Sequence, residues 1–170
     1  MPWPKENEYT PSYADYLMNL EDVEIIEFQK NQLKKIKQLF NSINEEKGNY
    51  AYAEGKWTVK EVLGHLVDTE RILAYRALSF ARGEKQILPG FEHDDYVKEG
   101  FFENRTIKDL LNEFTSLREA NILMFKSFSD EVLMRRGNAN NHELTVNAFQ
   151  YIIPGHVDHH LKILMEKYLL

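Results

Sequence analysis

The chain has 170 residues, 43% of them hydrophobic and 12% aromatic, which is enough apolar material for one globular domain, expected over residues 1–170. Its 21 basic and 27 acidic side chains give a formal net charge of −6 without any basic run, which argues against nucleic-acid binding as the main activity. The sequence has no cysteine, which excludes disulfides, thiolate zinc sites and a cysteine nucleophile, so histidine and carboxylates must carry any metal or acid–base chemistry.

The sequence also predicts the cellular location of the protein. Residues 1–8 are polar and interrupted by proline, unlike a signal peptide. No window approaches the roughly 18 continuous apolar residues that a membrane span requires. We therefore expect a cytoplasmic protein that has no membrane partner.

Four segments carry apolar residues at helical spacing, and none shows the strand alternation that flanks hairpin turns. The expected helices are Asp22–Ile43, Thr58–Arg82, Thr106–Phe128 and Thr145–Tyr168. The expected connections are Asn44–Lys56, Gly83–Arg105 and Ser129–Leu144. The connection from Gly83 to Arg105 has 23 residues, long for a compact domain and typical of a crossover or lid. The sequence thus predicts an all-α fold, a four-helix bundle with a long crossover connection.

Local signals mark the ends of these helices. Thr58 and Glu61 form a capping box at the start of the second helix, and Gly83 is a left-handed stop after its end. Thr106–Asp109 resembles a weaker box at the third helix. In the last helix, Pro154 removes one backbone hydrogen bond, which predicts a kink.

Three of the six histidines lie within five residues near the C-terminus, His156, His159 and His160. His156 and His160 are one helical turn apart, so both project from one face and their spacing allows two imidazoles to bind one metal ion. His159 lies at the edge of that face. The face is apolar, as its other members show: Phe149, Ile153, Ile163 and Leu164.

Two imidazoles on an apolar face have an alternative explanation, since buried core histidines usually find ordinary hydrogen-bond partners. A surface histidine tract is the other alternative. His65 favours the metal interpretation because it lies at the margin of the apolar face of the second helix. Facing helices of a bundle converge on such sites. His65, His156 and His160 would supply three nitrogen ligands and leave an open position, as in a catalytic metal centre.

Other polar residues are weaker candidates. Asp68, three residues after His65, is the candidate catalytic residue, because it could orient a ligand or a metal-bound water. The competing interpretation of Asp68 is a solvated ion pair with Arg71 or Lys60. Glu70 and Arg71 are expected to form ordinary ion pairs of little energetic value. His93 with Asp94 and Asp95 in the long connection could form an additional set of donors, and the favoured interpretation is a polar loop tip. His142 lies in an Asn-rich loop and has no assigned role.

Residues 55–71 and 155–164 together resemble the DinB/YfiT-like superfamily of metal-dependent proteins, which is unrelated to the polymerase that shares the DinB name. The loop Leu88–Phe91 and the segment Glu113–Arg118 are also similar to it. The resemblance implies a four-helix bundle, often a homodimer, that holds nickel or zinc with three histidines. Those ligands carry over to His65, His156 and His160, where the sequence matches the family.

The resemblance also implies the chemistry. Characterised members include S-transferases that use a low-molecular-weight thiol such as bacillithiol, and a mycothiol-dependent isomerase. The leading hypothesis is a metal-dependent enzyme on a small-molecule substrate, in which the metal presents a thiol as a thiolate. The alternatives are a hydrolase that uses a metal-bound hydroxide, and a non-catalytic metal-binding or dimerising bundle.

Overall fold

The structure of the protein is a computed structural model that describes residues 3–18, 20 and 23–168, and it is 68% helical. The α-helices are α1 (Ala14–Leu17), α2 (Ile25–Asn41), α3 (Glu45–Gly48), α4 (Val59–Ala81), α5 (His93–Gly100), α6 (Ile107–Lys126), α7 (Asp130–Leu133) and α8 (Val146–Lys167). The strands are β1 (Arg136–Ala139) and β2 (His142–Thr145), and short 3-10 helices occupy Glu6–Glu8, Pro11–Tyr13 and Phe102–Asn104. The expected start of the first helix, Asp22, lies outside the described residues.

Helices α2, α4, α6 and α8 form the predicted four-helix bundle. Both α6 and α8 pack against α2 and also against α4. Among the described residues, α2 makes its extensive contacts with α6 and α8 rather than with α4, which follows it in the bundle. Helices α2 and α4 therefore lie diagonally across the bundle although they are consecutive, whereas α4 and α6 are neighbours, and the topology differs from a simple up-down-up-down bundle.

The capping signals predict the helix starts well. At α4, the Thr58 backbone N–H donates to Glu61 Oε2 at 2.6 Å and the Glu61 N–H donates to Thr58 Oγ1 at 3.2 Å. Gly83 follows α4 with φ of 82°, the left-handed conformation expected of a stop. At α6, only half of the box is present, in which Thr106 Oγ1 accepts from the Asp109 N–H at 3.1 Å.

Pro154 lies inside α8, which continues without a break from Val146 to Lys167. Because proline has no backbone N–H, the carbonyl of Gln150 four residues earlier loses its helical donor. The Gln29 side chain of α2 replaces it, with Nε2 at 3.0 Å from the Gln150 oxygen. A side chain from the neighbouring helix thus compensates for the proline.

The sequence prediction was wrong for Ser129–Leu144, which contains α7 and an antiparallel hairpin rather than loop alone. Each strand has only four residues, too few for an alternating pattern to stand out. The signal that could have predicted this hairpin from the sequence was its turn. Asn140 and Asn141 have φ of 53° and 61°, as the two central residues of a type I′ hairpin turn require.

The other two connections also hold helices that periodicity did not predict, α3 and α5. They have four and eight residues, which is too short for a helical repeat of apolar positions to be recognised.

The buried core has two apolar clusters. The first half of α4 contributes residues such as Val62 and Leu66 to one cluster, and its second half contributes residues such as Leu73 and Phe80 to the other. The other three bundle helices likewise contribute to both clusters from separate stretches. Buried polar side chains occupy the positions between those stretches: Gln29, Gln32, Thr69, Glu70, Arg118 and His156. We call these six residues the polar layer. None of the described helices is long and apolar enough to cross a lipid bilayer.

Candidate metal centre

Three imidazoles meet inside the bundle, His65 from α4 and both His156 and His160 from α8. One ring nitrogen of each lies within 4.8 Å of a ring nitrogen of the other two. Nε2 of His65 is 3.0 Å from Nε2 of His156. The three ring centroids are 4.6 to 5.0 Å apart. We call these residues the histidine cluster.

The sequence explains this convergence. One turn of α8 separates His156 from His160, so both point to the same side, and α8 packs against α4. His65 and His156 are each 4% exposed, and His160 is half-buried. The structure therefore brings together the three residues that the sequence selected as ligands.

Burial keeps the cluster uncharged. It lowers the pKa of His65 to about 3 and that of His160 to about 4, and it lowers the pKa of His156 well below the ordinary value. Repulsion between imidazolium charges in the cluster adds to this effect. Neutral imidazoles carry a free lone pair, which is the form that binds a metal ion.

The cluster has the composition that a divalent metal requires. A tetrahedral ion with metal–nitrogen bonds of about 2.0 to 2.1 Å holds its ligand nitrogens about 3.3 Å apart. The distance of 3.0 Å between the two Nε2 atoms is close to this value. Within the described part of the chain, the group has three members. Three protein ligands leave a coordination position for water or substrate.

Thr69 contacts the cluster at the edge of the His65 ring that points away from His156. Its Oγ1 lies 3.3 Å from Nδ1 of His65, the ring nitrogen opposite the one that faces His156. Such a hydrogen bond fixes the tautomer and orientation of a ligand imidazole. The sequence analysis missed Thr69, although its position four residues after His65 places both on one face of α4.

Asp68 is half-buried, and burial raises the pKa of its carboxyl group. Its Oδ1 is 3.8 Å from Nη1 of Arg71, an ion pair that the sequence analysis gave as an alternative. Arg71 also donates to Glu113 at 2.7 Å near the surface. The catalytic role of Asp68 stays a prediction.

Two aromatic residues enclose the cluster, and the sequence analysis did not assign either of them to the site. The Trp57 ring centroid lies 4.8 Å from that of His65, and the same indole stacks on His160 at 6.3 Å with an interplanar angle of 18°. Tyr16 contacts His156 edge-on at 5.5 Å. Trp57 directly precedes Thr58, the N-cap residue of α4. Tyr16 lies in the tyrosine-bearing segment before the first bundle helix, which also resembles the DinB/YfiT-like superfamily but carried no assigned role.

The other histidines have different environments. His159 is exposed, and its ring lies 5.2 Å from that of His160. His93 begins α5 and its ring centroid is 5.3 Å from that of His65, so its placement at a polar loop tip was wrong. His142 begins β2 rather than lying in a loop.

The prediction that Glu70 forms an ion pair of little value was also wrong. Glu70 accepts two hydrogen bonds from Arg118, at 2.6 and 2.7 Å, and the side chains are only 1% and 0% exposed. Arg118 also donates to Gln32 at 2.7 Å, and Gln32 donates to the carbonyl of Pro154 at 2.8 Å. This network ties α4, α6 and α2 to the turn of α8 that precedes His156.

Two cavities border the histidine cluster. The larger, of about 300 Å³, is lined by His160, Trp57 and residues that include Tyr52, Lys56 and Tyr168. The smaller, of about 100 Å³, is lined by His156, Thr69, Arg76 and residues that include Tyr13, Phe91 and His93. A small molecule therefore has two separate positions from which to reach the cluster.

The fold and the cluster define a mostly helical bundle protein with a three-histidine cluster in its interior. The sequence profile of the DinB superfamily matches residues 28–164, and the chain belongs to that superfamily. No curated protein sequence matches it significantly.

Two solved structures share the fold. YfiT from Bacillus subtilis, described as "a probable metal-dependent hydrolase with an unusual four-helix bundle topology", is 16% identical with a TM-score of 0.71, over 97% of this chain and 90% of YfiT. The mycothiol-dependent maleylpyruvate isomerase is 10% identical with a TM-score of 0.64, over 81% of this chain and 58% of the isomerase.

Proposed function

We propose that the protein is a divalent-metal-dependent enzyme that acts on a small molecule, with His65, His156 and His160 as the metal ligands. The observation that carries this proposal is the convergence within 4.8 Å of three uncharged imidazoles, two of them buried and that of His160 half-buried. The similarity to YfiT, a probable metal-dependent hydrolase, and to a thiol-dependent isomerase supports an enzyme. When bound, zinc or nickel would supply Lewis acidity and lower the pKa of a coordinated water or thiol.

Within this class, the leading candidate is an S-transferase that takes its thiol from a low-molecular-weight compound such as bacillithiol. The two cavities favour it, because a transfer reaction needs separate positions for the thiol and its acceptor. The chain has no cysteine of its own to serve as nucleophile. Trp57 and His160 face the larger cavity, where the indole would hold the apolar part of a ligand against the cluster.

A hydrolase is the second candidate, and the similarity to YfiT favours it. In that reaction Asp68 is the carboxylate proposed to orient the attacking water. Asp68→Asn keeps the shape and removes the charge, so it should lower hydrolysis at least about tenfold if the carboxylate acts in this way. Unchanged hydrolysis in Asp68→Asn would show that Asp68 forms the ion pair with Arg71 but does not orient the attacking water.

Metal content tests the site directly. We expect about one metal ion per chain in wild-type protein purified without chelators, and its loss in His160→Ala. His159→Ala is the matched control, because it removes the neighbouring exposed imidazole and should retain the metal. Metal-free wild-type protein, or full occupancy in His160→Ala, would contradict the proposal.

Parallel assays of thiol conjugation and of ester or amide hydrolysis then separate the two reactions. The metal-loaded wild type should catalyse one of them, and His160→Ala should not. A metal-bound protein inactive in both would instead be the non-catalytic metal-binding bundle. The homodimer remains a proposal, which light scattering coupled to size-exclusion chromatography tests.

A further inference from the structure

We propose that Arg76 binds the carboxylate of a small acidic substrate in the cavity of about 100 Å³ beside the histidine cluster. Arg76 lies on α4 and lines this cavity together with Thr69 and His156. The inference deepens the proposed function and rests on it for the position of the reacting group. An acid anchored at Arg76 would place the rest of the molecule toward His156.

The first observation is that Arg76 is a buried cation that lacks a carboxylate partner. It is only 4% exposed. Its Nη2 donates to the backbone oxygen of Pro89 at 2.6 Å, and the Tyr13 hydroxyl also interacts with the guanidinium. Among the described residues, no Asp or Glu forms an ion pair with Arg76.

Arg118 provides the comparison within the same protein. It is equally buried, and it has a two-pronged ion pair with Glu70 that neutralises its charge. Burying a charge without a counter-charge is costly, and a guanidinium stays protonated in proteins. Burial does lower the pKa of Arg76, but from a starting value of 12.5. Arg76 therefore carries a buried positive charge without a carboxylate partner among the described residues, and it lines a cavity in which an anion could supply one.

Size and charge favour a carboxylate over a phosphate. The planar guanidinium matches a carboxylate with two parallel hydrogen bonds, and one positive charge balances one negative charge. A phosphate monoester carries nearly two charges at neutral pH and needs more donors. Glu92 and Asp94 act electrostatically on His93, which lines the same cavity. Their negative charges would repel the second negative charge of a phosphate monoester. The Phe91 ring, 5.8 Å from the guanidinium carbon, supplies an apolar wall.

Binding of short acids tests the proposal. Wild-type protein is titrated with straight-chain acids from formate to hexanoate, with the amide of each acid, and with methyl phosphate. Calorimetry and the NMR signal of the Arg76 Nε–H group report binding. We expect saturable binding of at least one acid, about tenfold or more weaker binding of its amide, and a shifted Arg76 signal.

Variants then assign the effect to Arg76. Arg76→Met should weaken binding of the acid at least about tenfold, and Arg76→Lys should weaken it less because the charge remains. Arg82→Met, which removes an exposed arginine at the end of the same helix, is the matched control and should bind as wild type does. Circular dichroism checks that Arg76→Met folds. If Arg76→Met does not fold, two measurements on wild-type protein test the proposal instead: the preference for acid over amide and the shift of the Arg76 signal.

The titration is repeated in His160→Ala, because a carboxylate can also bind a metal ion. Binding that persists there and depends on Arg76 supports the proposal even if the metal site fails its own test. Four results would overturn it: no saturable binding of any acid, equal binding of acid and amide, unchanged binding in folded Arg76→Met, or tighter binding of methyl phosphate than of every acid.

Discussion

At the scale of single residues, the hydrogen bond between Thr69 and Nδ1 of His65 bears on which nitrogen of His65 could bind a metal. When Nδ1–H of His65 donates a hydrogen bond to the hydroxyl of Thr69, the lone pair of the ring lies on Nε2, which faces His156. Loss of a hydrogen bond of this kind typically lowers metal affinity or activity about 10- to 100-fold. Thr69 therefore belongs to the site although it does not touch the metal position.

Replacing Thr69 tests this role. Thr69→Val keeps the shape and removes the hydroxyl, so metal affinity should fall about 10- to 100-fold. Thr69→Ser keeps the hydroxyl and should stay near wild type. Competition with a chromophoric chelator measures both variants. Equal loss in the valine and serine variants would show that Thr69 acts by packing rather than by its hydrogen bond.

The three residues of the histidine cluster could be selected from the sequence because their signals are local. His156 and His160 share a face through their spacing, and the apolar neighbours show that this face is buried. The enclosing residues have no such signal. Tyr16 reaches His156 from 140 positions away in the chain, and only the folded structure brings them into contact. Sequence reasoning thus selected the residues of the histidine cluster but not the aromatic residues that enclose it.

At the scale of elements, the polar layer gives the four bundle helices a fixed relative position. Glu70 and Arg118 pair without exposure to solvent, and Arg118 connects through Gln32 to the backbone of α8. A pattern of apolar positions cannot reveal such pairs, since a buried glutamate and an exposed one look alike in sequence. For this reason the bundle could be predicted, whereas its internal network could not.

Breaking the Glu70–Arg118 pair should be costly. Glu70→Gln leaves Arg118 buried without its counter-charge, and the free energy of unfolding should fall by about 3 to 5 kcal/mol. Urea denaturation followed by circular dichroism measures this. Arg71→Gln, which removes an exposed ion pair one residue away, is the matched control and should change stability by at most about 1 kcal/mol. A small effect of Glu70→Gln would mean that water reaches Arg118.

The end of α8 predicts a pH dependence. Tyr168 donates its hydroxyl proton to the backbone oxygen of Trp57, and burial raises the pKa of Tyr168 to about 12 from an ordinary value of 10. Because the folded-state pKa is raised, the contribution of this group is fully present below pH 10. It is lost as the pH rises from 10 to 12, where the unfolded chain ionises first.

Urea denaturation between pH 8 and about pH 11 tests this window. Wild-type stability should decline toward the alkaline end, and Tyr168→Phe should decline less because it has no hydroxyl to ionise. Tyr75→Phe, which changes an exposed tyrosine on α4, is the control and should follow the wild type. Parallel curves for all three proteins would refute the assignment to Tyr168.

At the scale of the whole molecule, the N-terminal segment packs across the bundle at the histidine cluster. Helix α1 lies against α8, and Tyr16 contacts the rings of both His156 and His159. The close approach requires Gly155, since a Cβ atom there would lie 1.8 Å from the backbone oxygen of Tyr16. Gly155 precedes His156 directly, so the segment covers the cluster at the point where α8 presents its first ligand.

Gly155→Ala should therefore move the N-terminal segment away from the histidine cluster. The added methyl group meets backbone that cannot rotate away, so the N-terminal segment must shift, at a cost of about 1 to 3 kcal/mol in unfolding free energy. Limited proteolysis should cleave the variant faster before α2, whereas Lys162→Ala, on the exposed face of α8, should match the wild type. The three ligands lie on α4 and α8, so metal stoichiometry should persist while the bound metal exchanges faster with chelator. Unchanged proteolysis and exchange would mean that Tyr16 does not control access to the cluster.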